Sequence, residues 1–174
     1  MATCVIYSSN SGFTKQYARW ISKELNCDLL EAKRTNYFTA QMYDIIIYGG
    51  AVNNSKIKGV SLITDNLDIL RNKKIIVFSC GLMDNAEEIK EVNLKKDKNN
   101  MVSYYHFLGG LDVDKLNMMT QFKLMRQKNK IKDENGNEMD LKNKYNFMNK
   151  EFIKPIVDEA NEYEQKLING EIEQ

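Results

Sequence analysis

The chain of 174 residues has one proline, one tryptophan, one histidine and three cysteines. The histidine, His106, falls inside an apparent strand, so its expected role is structural, and neither a zinc site nor a cysteine–histidine pair is supported. The cysteines, Cys4, Cys27 and Cys80, are odd in number and lack metal-ligand spacing, so no metal is expected. As reduced thiols they fit the cytoplasm, the expected location. No run approaches the ~20 apolar residues of a membrane span, and no charged region followed by an apolar one opens the chain. Gly-x-Gly-x-x-Gly and Gly-x-x-x-x-Gly-Lys-[Ser/Thr] are both missing, which excludes the dinucleotide and triphosphate loops built on them. A phosphate-accepting receiver domain needs acids at the end of its first strand, where this chain has Tyr7, Ser8 and Ser9. No acid–base pair stands out, so no catalytic residue is named. No internal repeat is visible.

What is present suits one domain over residues 1–174, with a normal hydrophobic fraction of 43%. The net charge of +1 gives no reason to expect nucleic acid, but it conceals an uneven distribution. Residues 115–132 hold six bases and no acid, whereas residues 151–174 hold seven acids and two bases.

The first strand, Cys4 to Tyr7, runs into Ser8, Ser9, Asn10, Ser11 and Gly12. A helical pattern follows from Thr14, with Tyr17, Ala18, Ile21 and Leu25 on one face. A helix N-terminus presents unpaired N–H groups and the positive end of its dipole to an anion. The loop between Ser8 and Thr14 is uncharged, which suits a monophosphate better than a metal-bound triphosphate. Further strands are expected at residues 28–32, 43–50, 74–78 and 102–108, with a connector at residues 33–42. Val60, Ile63, Leu67 and Leu70 space as one helical face, and Asp84 with Glu87 reads as a capping box for another helix. Met118, Phe122 and Met125 share a face after the fifth strand. Residues 129–149 read as a long loop containing the turn Asn135-Gly136. Pro155 opens a last helix that carries Phe152, Ile156, Ala160, Tyr163 and Leu167 on one side and ends at Asn169-Gly170. Strands alternating with helices argue for an α/β parallel sheet, with ligands at the carboxyl ends of its strands.

Ser9-Asn10-Ser11-Gly12-Phe13-Thr14 resembles the flavodoxin phosphate loop, [Ser/Thr]-x-[Ser/Thr]-Gly-x-Thr, which holds the phosphate of FMN. The resemblance implies a flavodoxin-like doubly wound sheet of five parallel strands in the order 2-1-3-4-5, with helices on both faces. It implies FMN as cofactor, its phosphate held by Ser9, Asn10, Ser11, Gly12, Phe13 and Thr14. The ring would be flanked by Gly50, Ala51, Val52 and Asn53 on one side and by Cys80, Gly81, Leu82 and Met83 on the other. Cys80 is expected to be the thiol nearest the ring, with its alkylation slowed by FMN. Neither ring loop offers a stacking aromatic.

A second resemblance covers residues 107–125. This stretch looks like the insertion of the flavodoxin-like, quinone-linked protoporphyrinogen dehydrogenases, placing a helical and loop insertion at about residues 111–150. On that reading Lys115, Lys123 and Arg126 attract propionates or an anionic membrane surface, so the chain would meet the inner face of the membrane peripherally. The residues leave open an electron carrier or an FMN-dependent oxidoreductase, working with a redox partner protein or a quinone. This general reading ranks ahead of a menaquinone-dependent protoporphyrinogen IX dehydrogenase and of a non-catalytic flavodoxin-fold binding module.

Overall fold

Ile45, Ile46 and Ile47 lie side by side on one strand and all three are buried. Successive side chains of a strand point to opposite faces, so a run of this kind needs cover on both. The computed structural model, which describes residues 2–116, 118–126, 139–140 and 143–172 (the side chains of Thr120, Lys123 and Leu124 excepted), supplies that cover. Ile46 joins a core with Cys4, Ile6, Tyr48, Ile75 and Val77, closed by Ile63, Leu70 and Ile89 from helices and turns. Ile45 and Ile47 join a second core with Val5, Ile76 and Phe78, closed by Tyr17, Ala18, Ile21, Ile156 and Ala160. Each fully buried isoleucine contributes about 1.5–3 kcal/mol relative to an exposed one.

The strands are β1 (Thr3–Ser8), β2 (Asp28–Glu31), β3 (Ile45–Asn53), β4 (Lys56–Ile57), β5 (Lys74–Gly81), β6 (Val102–Leu108), β7 (Gly110–Leu111) and β8 (Tyr145–Asn146). The helices are α1 (Phe13–Glu24), α2 (Tyr37–Gln41), α3 (Ser61–Thr64), α4 (Ala86–Leu94), α5 (Met118–Arg126) and α6 (Lys154–Ile168). The main sheet runs β2-β1-β3-β5-β6, all parallel, which is the expected order of five. Helices α1 and α6 pack on one face, and α2, α3 and α4 on the other.

Several local readings shift. β3 continues past Gly49-Gly50 to Asn53 and turns back as the antiparallel strand β4. Asn54 and Ser55 both have positive φ, 49° and 58°, the pattern of a two-residue I′ hairpin turn. β5 likewise reaches Gly81, so the third loop begins at Leu82. Val60, Ile63, Leu67 and Leu70 are all buried as their spacing requires, but only four residues are α-helical. The Asn66 side-chain amide donates to the Leu62 carbonyl, and turns carry the rest. The cap of α4 lies one residue later than expected: Asn85 holds the position, and its amide donates to Glu88. The connector at residues 33–42 includes α2, capped by the Asn36 side chain accepting from the Thr39 N–H.

The expected long loop at residues 129–149 ends in β8, which pairs with β7 beside the carboxyl end of β6. Asn135-Gly136 lies outside the described residues. Pro155 occupies the first turn of α6 as expected, and Gly170, at φ +70°, follows its end.

Candidate functional site at the carboxyl ends of β1, β3 and β5

Strand β1 lies between β2 and β3, and the direction of winding reverses there. In open parallel sheets that reversal opens a crevice at the carboxyl ends of the strands. The backbone register puts Ser8 opposite Gly50, Gly50 opposite Ser79 and Ala51 opposite Cys80. The three predicted loops therefore leave the sheet side by side.

The loop from Ser9 to Gly12 ends at α1 without any side-chain cap. Gly12 has φ +100°, a conformation that a side chain would strain. Its N–H donates to the Ser9 hydroxyl, and its carbonyl accepts the first helical bond, from Gln16. A Cβ on Gly12 would meet nothing within 4 Å, so the glycine is required by the backbone and the space over it is open. The first-turn N–H groups have no side-chain acceptor and face the dipole's favourable end. This donor set fits a phosphate group.

The loop residues are not equivalent. Asn10 and Gly12 are exposed, and Ser9 and Ser11 half-exposed. Thr14 is 2% exposed, so its side chain is buried beneath the first loop, where it partly offsets the effect of burial on the Cys80 thiol. The Phe13 ring lies against Gly110 and joins the core under α1. Cys80 is 5% exposed, and burial pushes its thiol up to about 12. A thiol this protected reacts slowly with alkylating agents with or without a ligand, so alkylation at Cys80 is a poor probe of the site.

The second loop is the β3–β4 hairpin. Ala51 and Val52 are half-buried and Asn53 is exposed. Asn93 of α4 clamps it: the Asn93 carbonyl oxygen accepts from the Ile57 N–H at 2.8 Å, and its amide donates to the Ser55 carbonyl at 2.7 Å. The following residue, Lys58, is held at both backbone groups. Its N–H donates to the Ala51 carbonyl at 2.9 Å, and its carbonyl accepts from the buried Tyr48 hydroxyl at 2.7 Å. Gly59 completes this corner at φ +72°, where a Cβ would stand 2.5 Å from the Tyr48 oxygen. The Lys58 ammonium then reaches Asn10 of the first loop and donates to its Oδ1 at 2.5 Å. Lys58 was missed at the sequence level.

The third loop hangs from a relay that starts on β6. The Tyr104 hydroxyl, the Ser79 hydroxyl and His106 Nδ1 form a chain with spacings of 2.7 and 2.6 Å. His106 Nε2 donates to the Met83 carbonyl at 2.7 Å. With Nε2 protonated, Nδ1 accepts from Ser79 and Ser79 accepts from Tyr104, so neutral histidine satisfies every group. Burial holds His106 below the ordinary histidine value. The expected structural role of His106 is thus specific: it fixes the backbone of Met83, whose side chain is 47% exposed.

A family model described as the flavodoxin domain matches residues 4–138. The chain belongs to the flavodoxin domain family. Its fold is the flavodoxin-like α/β fold, and a flavin, most simply FMN, is the cofactor that this membership implies. No curated protein matches the chain. Among solved structures, it is similar to the two-electron reduced flavodoxin of Megasphaera elsdenii, with 15% identity, a TM-score of 0.49, and coverage of 67% of this chain and 89% of that one. It is similar to flavodoxin 2 of Bacillus cereus, with 22% identity, a TM-score of 0.46, and coverage of 61% and 84%. A flavodoxin, WrbA-like protein of Agrobacterium tumefaciens shares 12% identity, with a TM-score of 0.47 and coverage of 62% and 82%. No helix among the described residues of this flavodoxin-like chain is long and apolar enough to cross a membrane.

The expected partner-binding residues lie apart from the three loops in sequence, on and before α5. Lys115 is exposed but pairs with Asp112 at 3.5 Å, so an acid just outside the basic stretch takes up part of its field. Arg126 lies over the Phe122 ring at 6.0 Å. The Lys123 side chain lies outside the described residues. Helix α5 itself leaves Met118, Met119, Phe122 and Met125 exposed, at 60–85%.

Proposed function

We propose that this chain is an FMN-binding redox protein, an electron carrier or FMN-dependent oxidoreductase serving a partner protein or a quinone. The observation that carries the reading is the uncapped N-terminus of α1, with an open, uncharged serine loop at the reversal of the sheet. When bound, FMN supplies the electron-transfer chemistry, and the protein supplies position and environment. Backbone N–H groups of the first turn of α1, with the Ser9, Asn10 and Ser11 side chains, would hold the phosphate. Thr14 and Phe13 contribute backbone donors, since the Thr14 side chain is buried and the Phe13 ring lies against Gly110. Gly50, Ala51, Val52 and Asn53 would border one side of the ring, and Gly81, Leu82 and Met83 the other. Cys80 would lie beneath them as packing. The absence of a stacking aromatic on either loop favours an accessible ring edge, which suits exchange with an outside partner.

Titration of the apo protein with FMN tests this reading. Saturable binding with a perturbed visible spectrum is expected, and a flat titration with folded protein would overturn it.

The exposed apolar side chains of α5 favour a second reading, menaquinone-dependent protoporphyrinogen IX dehydrogenase. A helix with four large apolar side chains in water suits contact with a bilayer that holds the quinone. Turnover of protoporphyrinogen with menaquinone supports that enzyme, whereas electron exchange with a ferredoxin-type protein alone leaves the carrier.

A further inference from the structure

Lys58 is an exposed lysine anchored with the rigidity of a core residue. Its N–H is held by Ala51 and its carbonyl by the buried Tyr48 hydroxyl, so its Cα has a fixed place at the mouth of the crevice. Ile57 immediately before it is clamped by Asn93, and Gly59 after it turns against Tyr48. Holding the backbone on both sides fixes the point from which the side chain reaches the loop. The side chain extends to the one neutral loop at the N-terminus of α1 and donates to Asn10 Oδ1. With Oδ1 occupied as acceptor, the other end of the Asn10 amide, Nδ2, is left as a donor.

We propose that Lys58 is the charged member of an otherwise neutral phosphate subsite, and that it makes the site select a phosphorylated flavin over riboflavin. This rests on the FMN reading above. The hairpin that borders the ring thereby also reaches the phosphate, so one loop senses both ends of the ligand. Lys58 contributes a charge-assisted contact to the phosphate oxygens and turns the Asn10 amide so that Nδ2 donates to the same group.

The test is titration of the full-length apo protein with FMN and with riboflavin, at low and at high salt. Wild type is expected to prefer FMN, and Lys58→Met is expected to weaken FMN about tenfold while moving riboflavin less than about twofold. Lys58→Arg should keep most of the preference. Asn10→Asp, which captures the ammonium and adds a negative charge, should lose FMN at least as strongly and spare riboflavin. Raising salt should shrink the wild-type preference and change the Lys58→Met variant less. An unchanged ratio of FMN to riboflavin affinity in Lys58→Met overturns the proposal. Equal loss of both flavins also overturns it, because Lys58 then serves only the hairpin. A wild type that binds neither flavin defeats the FMN reading itself, an outcome distinct from both.

Discussion

Helix α1 follows the carboxyl end of the parallel strand β1, α5 follows the short antiparallel strand β7 and a tight turn, and both carry an apolar stripe. Their fates differ. Tyr17, Ala18 and Ile21 of α1 are fully buried, whereas Met118, Phe122 and Met125 of α5 are 60–85% exposed. The difference lies in what each stripe meets. The α1 stripe fits one face of the sheet, with small Ala18 letting the helix approach and Tyr17 reaching across. The Tyr17 hydroxyl donates to the Leu108 carbonyl at 2.7 Å and accepts from the Asn149 N–H at 3.2 Å. Its ring packs on Phe107 and Trp20. The α5 stripe sets Phe122 between the flexible methionines Met118 and Met125, which adapt to irregular or changing surfaces. One helix is therefore a structural wall that lends its N-terminus to a site, and the other displays its side chains.

That contrast breaks most visibly at Tyr17. Tyr17→Ala should cost about 4 kcal/mol in chemical denaturation, because it opens a cavity and strips partners from Leu108 and Asn149. Next comes Gly12→Val, which forces a β-branched residue to positive φ. A loss of about 1–2 kcal/mol is expected, with FMN binding abolished. Unchanged affinity in the folded variant would remove the loop from the site.

A smaller effect belongs to His106, on the strand that leads towards α5. Its folded value lies below the ordinary one near 6.5. Stability from the neutral ring is complete above that ordinary value and is lost as pH falls through the depressed folded value. Denaturation from pH 7 to pH 5 should show the decline, and His106→Gln should flatten it. The least effect is expected from Phe122→Ser, within about 0.5 kcal/mol of wild type. If its stability falls by several kcal/mol instead, α5 is packed and the comparison fails.

The strands and the first loop were legible because each rests on local pattern, a β-branched run for β3 and four small polar residues before a helical face for the loop, whereas the order of the strands came from the resemblance which that loop carries. Lys58 was not legible. It is one of 25 bases, and its approach to Asn10 depends on a hairpin whose turn, Asn54-Ser55, lacks the glycine that usually marks a I′ turn. The His106 relay links Ser79 to Tyr104 across neighbouring strands, a register that single-strand periodicity does not reveal. The capping box slipped by one because Asp84 and Asn85 are both good caps and Glu87 and Glu88 both follow at the right distance. Periodicity found the stripe of α5, but it reports that a helix is two-sided, never what lies against it.

Asn93 has a kinetic consequence. One side-chain amide joins the inward turn of α4 to the β3–β4 hairpin, bonding Ile57, Ser55 and its own helix at Ile89. The hairpin therefore cannot detach while α4 stays docked without leaving those groups unpaired. In hydrogen exchange the two should open as one foldon, with the Ile57 amide following the protection of α4 rather than that of an exposed turn. Asn93→Ala would uncouple them, turning a hinge-free edge of the crevice into one that breathes on its own clock.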